Sequence, residues 1–139
     1  MSSASLVRTV HFSAGHHYWR SEWSEEDNRR SFGASANPHG HNYTLEVTVR
    51  GRVDPATGFV VDLGALDAVL ADVVNPLDQN DLNEVIPEVR EGGMVPTTEN
   101  LARWFMDRLR DRIPGQATLA RVRVAESGEL AAEVTAEEP

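Results

Sequence analysis

Two stretches of strict alternation, joined by a histidine pair, constrain this chain more than any other feature. Between residues 5 and 14, Leu6, Arg8, Val10, Phe12 and Ala14 fall on one side, and Val7, Thr9, His11 and Ser13 on the other. From Asn42 the pattern returns. Tyr43, Leu45, Val47 and Val49 face one way, while Asn42, Thr44, Glu46, Thr48 and Arg50 face the other. A period of two is the signature of a half-buried strand, so both runs read as strands with one face on a core. Asp54-Pro55 and Thr57-Gly58 mark a turn that leads into Phe59-Val60-Val61.

The period then changes. Asp62 is placed to cap a helix whose apolar residues Leu63, Leu66, Leu70 and Val73 recur at spacings of three and four. Thr97 or Thr98 caps a second helix with the stripe Leu101, Trp104, Phe105 and Leu109, ended by Pro114-Gly115. A last strand pair, about 117–126 and 129–135, turns on Ser127-Gly128. A short helix over SEEDNRR after Ser24 is also expected. Paired strands around a helix pair predict an α+β fold: a four-stranded antiparallel sheet with two helices on one face. The other face is left bare, which calls for a partner.

Size and charge narrow the function classes. The chain has 139 residues and reads as one domain (1–139), with about 135–139 as a disordered tail. The net charge of −9 leaves no basic patch for nucleic acid. With no cysteine there is no disulfide framework, thiolate zinc site or thiol nucleophile. No apolar run approaches a signal core or membrane span, so no membrane partner and a cytoplasmic location are expected.

All five histidines precede residue 42. His39 and His41 are two apart and share parity with Tyr43, Leu45 and Val47; His16 shares parity with Phe12 and Ala14. If the two strands pair antiparallel, three imidazoles meet at one end of the sheet. Three neutral nitrogens with a fourth position open is the catalytic zinc arrangement. Gly40 allows close backbone approach. An isolated His-x-His is more often a polar turn; the third histidine at the end of the other strand tips the balance to a metal. His11 and His17 read better as surface or supporting residues. A cupin also presents His-x-His on a strand, and Gly33, His39, His41 and Glu46 nearly fit its first motif. No histidine follows residue 41 to complete a second motif, and two central helices fit a β-barrel poorly, so the cupin is set aside.

Several motifs, taken in order, resemble the 6-pyruvoyl-tetrahydropterin synthase and 6-carboxy-tetrahydropterin synthase family over nearly the whole chain. They are Phe12-Ser13-Ala14-Gly15-His16, Asn37-Pro38-His39-Gly40-His41-Asn42-Tyr43, Gly51 to Gly58, Pro76-Leu77-Asp78 with Leu82-Asn83, Pro96 to Ala102, and Glu126. The resemblance implies the tunnelling fold, ββααββ, whose subunits join sheet edges into rings that stack, typically as a homohexamer of two trimers. It implies Zn2+ on His16, His39 and His41, a pterin-like small-molecule substrate held by Glu126 near Thr97 and Thr98, and a lyase of the carbon–oxygen, phosphate-eliminating type.

The chain departs from the family at the proton relay. The family carries a cysteine a few residues before the HGH-type motif and a histidine after Leu-Asp. Here Ser35 and Gln79 stand at those positions, so of the expected catalytic set Ser35, Asp78 and Gln79 only Asp78 is unchanged. A thiol is readily tuned into the range of a general base; a serine hydroxyl is not, and an amide cannot titrate. Losing one positioned acid–base group typically costs about a hundredfold to ten-thousandfold. Three readings follow. The chain is a dihydroneopterin-type enzyme whose proton is moved by Asp78, His17, water at the metal, or a carboxylate among Glu25, Glu26 and Asp27. Otherwise it acts on a non-pterin substrate in specialised biosynthesis, or it is a non-catalytic metal- or pterin-binding oligomer.

Overall fold

In the computed structural model, which describes residues 2–136, the alternating runs form two long strands: β1 (Ser3–His16) and β2 (His39–Arg52). They pair antiparallel over their whole length, with Phe12 opposite Tyr43 and His16 opposite His39. Between them lie α1 (Glu25–Phe32), capped by the Ser24 side chain, and a 3-10 turn (Gly33–Ala36). There follow α2 (Leu63–Val74), β3 (Asn80–Asp81), α3 (Leu82–Val85), α4 (Pro87–Arg90), α5 (Thr98–Leu109), β4 (Thr118–Ser127) and β5 (Leu130–Thr135).

Both expected caps form. Asp62 accepts from the N–H groups of Gly64 and Ala65 at the start of α2, and Thr97 accepts from that of Asn100 at the start of α5. The expected helix stripes and strand faces meet in one core, except at Leu63, which opens α2 and is 42% exposed. Leu45, Val47 and Val49 of β2 and Val122 and Val124 of β4 are fully buried, as are Leu66 of α2 and Leu101, Phe105 and Leu109 of α5. Each such apolar side chain removed from water stabilises the fold by roughly 1.5–3 kcal/mol.

Three expectations need correction. The sheet is neither four-stranded nor wholly antiparallel: its order is β3-β1-β2-β4-β5, and β3 runs parallel to β1. The extra strand arises at Gln79, whose φ of 62° turns the chain so that Asn80 and Asp81 lie beside Ala14 and Gly15. The Gln79 N–H donates to the Ser13 carbonyl at 2.6 Å, which locks the turn onto β1. Second, α5 stops at Leu109, well short of Pro114, where the chain bends and the Arg112 N–H returns to the Leu109 carbonyl. Third, Thr135 belongs to β5 opposite Arg121, and the Ala136 N–H donates to the Ala120 carbonyl at 2.9 Å. Residues 137–139 of the expected tail lie outside the described residues.

The second sheet face is polar. Glu46, Arg123 and Glu133 form a ladder across β2, β4 and β5, at 2.9 Å and 3.4 Å. Among the described residues, the outer edge of β1 pairs with a strand only at Ala14 and Gly15, and β5 ends the other side. No helix among the described residues is long and apolar enough to cross a membrane.

Candidate metal centre

The three histidines converge because two strands deliver them to one end of the sheet. His16 closes β1, His39 opens β2 directly opposite, and His41 follows on the same face. Gly15 and Gly40 oppose each other next to them, where a Cβ on Gly40 would meet the Ala14 carbonyl oxygen at 3.2 Å. Ring centroids are separated by 4.5 Å (His16–His39), 5.0 Å (His16–His41) and 5.0 Å (His39–His41). One nitrogen from each lies within 4.8 Å of the others.

The tautomers follow from the partners. His16 Nδ1 lies 3.0 Å from the Pro96 carbonyl, which can only accept, so Nδ1 carries the proton and Nε2 the lone pair. The Tyr43 hydroxyl is 3.2 Å from the same nitrogen. Likewise His39 Nδ1 donates to the Asn37 carbonyl at 2.8 Å, leaving its Nε2 as a lone pair. His16 is 2% exposed, and its Nε2 is a buried nitrogen without a hydrogen-bond partner. An orphaned buried acceptor is costly unless something fills its place. Burial, then the neighbouring His39 and His41, pushes the His16 pKa down to about 4. The ring therefore stays neutral and ready to donate its lone pair. These features fit a divalent metal ion held by the three imidazoles.

A carboxylate stands beside the triad. Glu126, near the end of β4, places Oε2 3.6 Å from His41 Nε2. The buried Thr98 hydroxyl donates to that same oxygen at 2.9 Å. Thr97, by contrast, spends its hydroxyl on the α5 cap. Tyr18 lies across the triad from the core, with its ring 5.1 Å from His16 and 6.1 Å from His39. Burial, aided by Glu126 and Glu99, raises its pKa to about 12, and burial likewise pushes the Tyr43 phenol up. Both phenols remain protonated.

The expected relay residues sit on different elements: Ser35 in the 3-10 turn, Asp78 and Gln79 in the turn before β3. Ser35 lies in the 3-10 turn before β2, where its carbonyl accepts from the Tyr18 N–H at 2.8 Å. Among the described residues its hydroxyl has no hydrogen-bond partner. Asp78 and Gln79 lie at the outer edge of β1: Asp78 Oδ1 accepts from the Ser13 N–H at 2.9 Å. Gln79 lines an open cavity of about 540 Å3 together with His16, His39 and His41. Of the other histidines, His11 is on the polar sheet face, 3.2 Å from the Thr44 hydroxyl. His17 has its backbone clamped by the Asn83 side chain, at 2.9 Å and 3.0 Å.

Sequence reasoning missed Tyr18 and the carbonyls of Asn37 and Pro96. A residue just past a strand carries no periodicity, and main-chain acceptors have no side-chain signal at all. Tyr43 had the parity of His39 and His41 but read only as core.

Known proteins resemble this chain in sequence and in fold. The family model for 6-pyruvoyl tetrahydropterin synthase matches residues 5–137. The chain is 38% identical over 127 residues to the human 6-pyruvoyl tetrahydrobiopterin synthase, covering 89% of this chain and 86% of that one. It is also 32% identical over 131 residues to the dihydroneopterin monophosphate aldolase of Pyrococcus furiosus, covering 94% and 96%. The structure of the Caenorhabditis elegans 6-pyruvoyl tetrahydropterin synthase superposes with a TM-score of 0.91 at 28% identity, over 99% of this chain and 98% of that one. With the match running from the first strand to the last, the chain belongs to the 6-pyruvoyl tetrahydropterin synthase family.

Proposed function

We propose that this protein is a zinc-dependent enzyme acting on a dihydroneopterin-type substrate. The observation that carries the reading is the buried, unpartnered His16 Nε2 facing two further imidazoles, with Glu126 at their side. His16, His39 and His41 would hold the ion. When bound, zinc supplies Lewis-acid polarisation of the substrate's side-chain hydroxyls. The rest falls to the chain. Glu126, fixed by Thr98, accepts hydrogen bonds from the two-donor aminopyrimidine edge, a pairing that orients a flat ring. Tyr18 and Tyr43 are kept protonated, so neither serves as a base.

Which bond breaks depends on the proton relay. The human relative is named as a pyruvoyl tetrahydrobiopterin synthase, the Pyrococcus furiosus relative as an aldolase. Phosphate elimination requires removal of a C–H proton by a strong, positioned base. Carbon–carbon cleavage of the side chain starts from an O–H proton, which a Lewis acid already acidifies. Ser35 and Gln79 supply neither a thiol nor an imidazole, which favours the aldolase-type reaction as the second reading. Open edges at β1 and β5 support assembly into a closed ring of copies, with hexamers as the expected form.

The test is incubation of zinc-loaded protein with dihydroneopterin triphosphate and, separately, the monophosphate, with products followed by mass spectrometry. Released tripolyphosphate identifies elimination; a two-carbon phosphorylated aldehyde identifies cleavage. Loss of either product in His39→Ala ties it to the metal centre. Activity only in Ser35→Cys/Gln79→His means that the pocket takes the pterin and the relay alone has changed. No product from any variant, with zinc bound, rules out the pterin and moves the search to other chelating substrates or a non-catalytic role.

A further inference from the structure

The geometry points to Arg29 as a positioning residue of the metal centre: it anchors Asn37, and the Asn37 carbonyl sets the ring of His39. This inference rests on the reading of the three histidines as metal ligands.

The three ligands are not equally secured. His16 is buried, and its carbonyl partner belongs to the buried Pro96. His39 is half-exposed, and its partner Asn37 lies on the surface. An exposed carbonyl holds an imidazole only if its own residue is held. Two contacts fix Asn37. Its N–H donates to the Ala34 carbonyl at 3.1 Å, and its side-chain Oδ1 accepts from Arg29 Nη1 at 3.0 Å. The guanidinium is itself pinned on two further sides: Nε donates to Glu25 Oε1 one turn back in α1 at 3.2 Å, and its plane centre lies 5.9 Å from the Trp19 ring. The forked guanidinium thus spans from α1 to the residue that orients a ligand. An ammonium, a single point charge, cannot make both bonds in that geometry. Groups that orient metal-ligating histidines through their second nitrogen typically change metal affinity about 10- to 100-fold when removed.

The test is zinc affinity by chelator competition, with the cobalt absorption spectrum as a second readout, on Arg29→Ala, Asn37→Ala, their double variant, Arg29→Lys and Asn37→Asp. We expect each alanine variant to bind zinc about threefold or more weakly, less than the roughly tenfold or more lost with a direct partner of the ring, and with an altered cobalt spectrum. The double variant should be no weaker than either single one, since both cut the same link. Arg29→Lys should fall with the alanines, and Asn37→Asp, which keeps an oxygen for Arg29, should retain wild-type affinity. Thermal unfolding of the metal-free variants should match that of the wild type. Affinities within twofold of wild type, or additive losses in the double variant, overturn the inference while leaving the metal centre in place. Failure of the wild type to bind zinc or cobalt overturns both.

Discussion

At the scale of single residues, the centre depends on imidazoles that remain neutral. Burial and its two neighbours hold the His16 pKa at about 4 in the folded chain, against 6.5 for a free histidine. As pH falls, the unfolded chain therefore takes up this proton first. Metal-free protein should lose stability between pH 6.5 and pH 4, by about 3 kcal/mol at the lower end, and gain nothing from this residue above pH 6.5. Denaturant midpoints at pH 7 and pH 5 in the presence of chelator measure it; a midpoint that holds steady would show that His16 is protonated in the native state. Glu126 gives a different signature. Glu126→Gln keeps the Thr98 contact but replaces one acceptor by a donor, so KM should rise about tenfold or more while zinc affinity changes little. The histidines and Glu126 were legible because type and parity, or family motif, marked them. Main-chain acceptors such as Pro96 were not, because a carbonyl is the same in every residue.

At the scale of elements, caps and stripes were readable and turns were not. Asp62 and Thr97 are hydroxyl or carboxylate side chains immediately before an apolar 3.6-residue period, and both cap as expected. Thr97→Ala should cost about 1 kcal/mol of stability, read from the thermal midpoint, without loss of the metal site. β3 escaped prediction because it depends on a non-glycine residue in a left-handed conformation, for which no sequence signal exists. The side chain at 79 imposes strain there, so Gln79→Gly should be neutral or stabilising by up to about 1 kcal/mol. Gln79→Val should destabilise and detach β3 from β1, visible as faster amide exchange at Gln79 and Ser13. The end of α5 was misjudged for a related reason: Pro114-Gly115 is a strong stop signal, but the polar Arg110-Asp111 segment had already left the core.

At the scale of the whole molecule, the sheet has more edge than one chain can close. The Ser13 N–H and C=O both point away from β2, towards Asp78 and Gln79, so by the period of two Thr9 and Val7 also turn their backbone groups outward. Thr9→Pro removes one such outward donor without breaking the β1–β2 ladder. It should shift the protein to smaller species by light scattering while the monomer keeps its helix and strand content; an unchanged mass would mean that the β1 edge plays no part in assembly. The order strand, strand, helix, helix, strand, strand was legible throughout, because each long element carries its own period. How copies would join is an expectation of the family resemblance alone, since edge geometry is a property of the folded sheet.

The pairing of His16 with His39 has one more consequence. Sliding β1 past β2 by a single residue turns one strand's histidines to the opposite face and scatters the donors. Only a correctly aligned pair of strands can capture an ion, so capture selects that alignment from its near neighbours while the chain is still folding. If the three histidines hold a metal ion as proposed, its supply during synthesis would then govern how much newly made chain reaches the right alignment, as well as how much folded protein is charged.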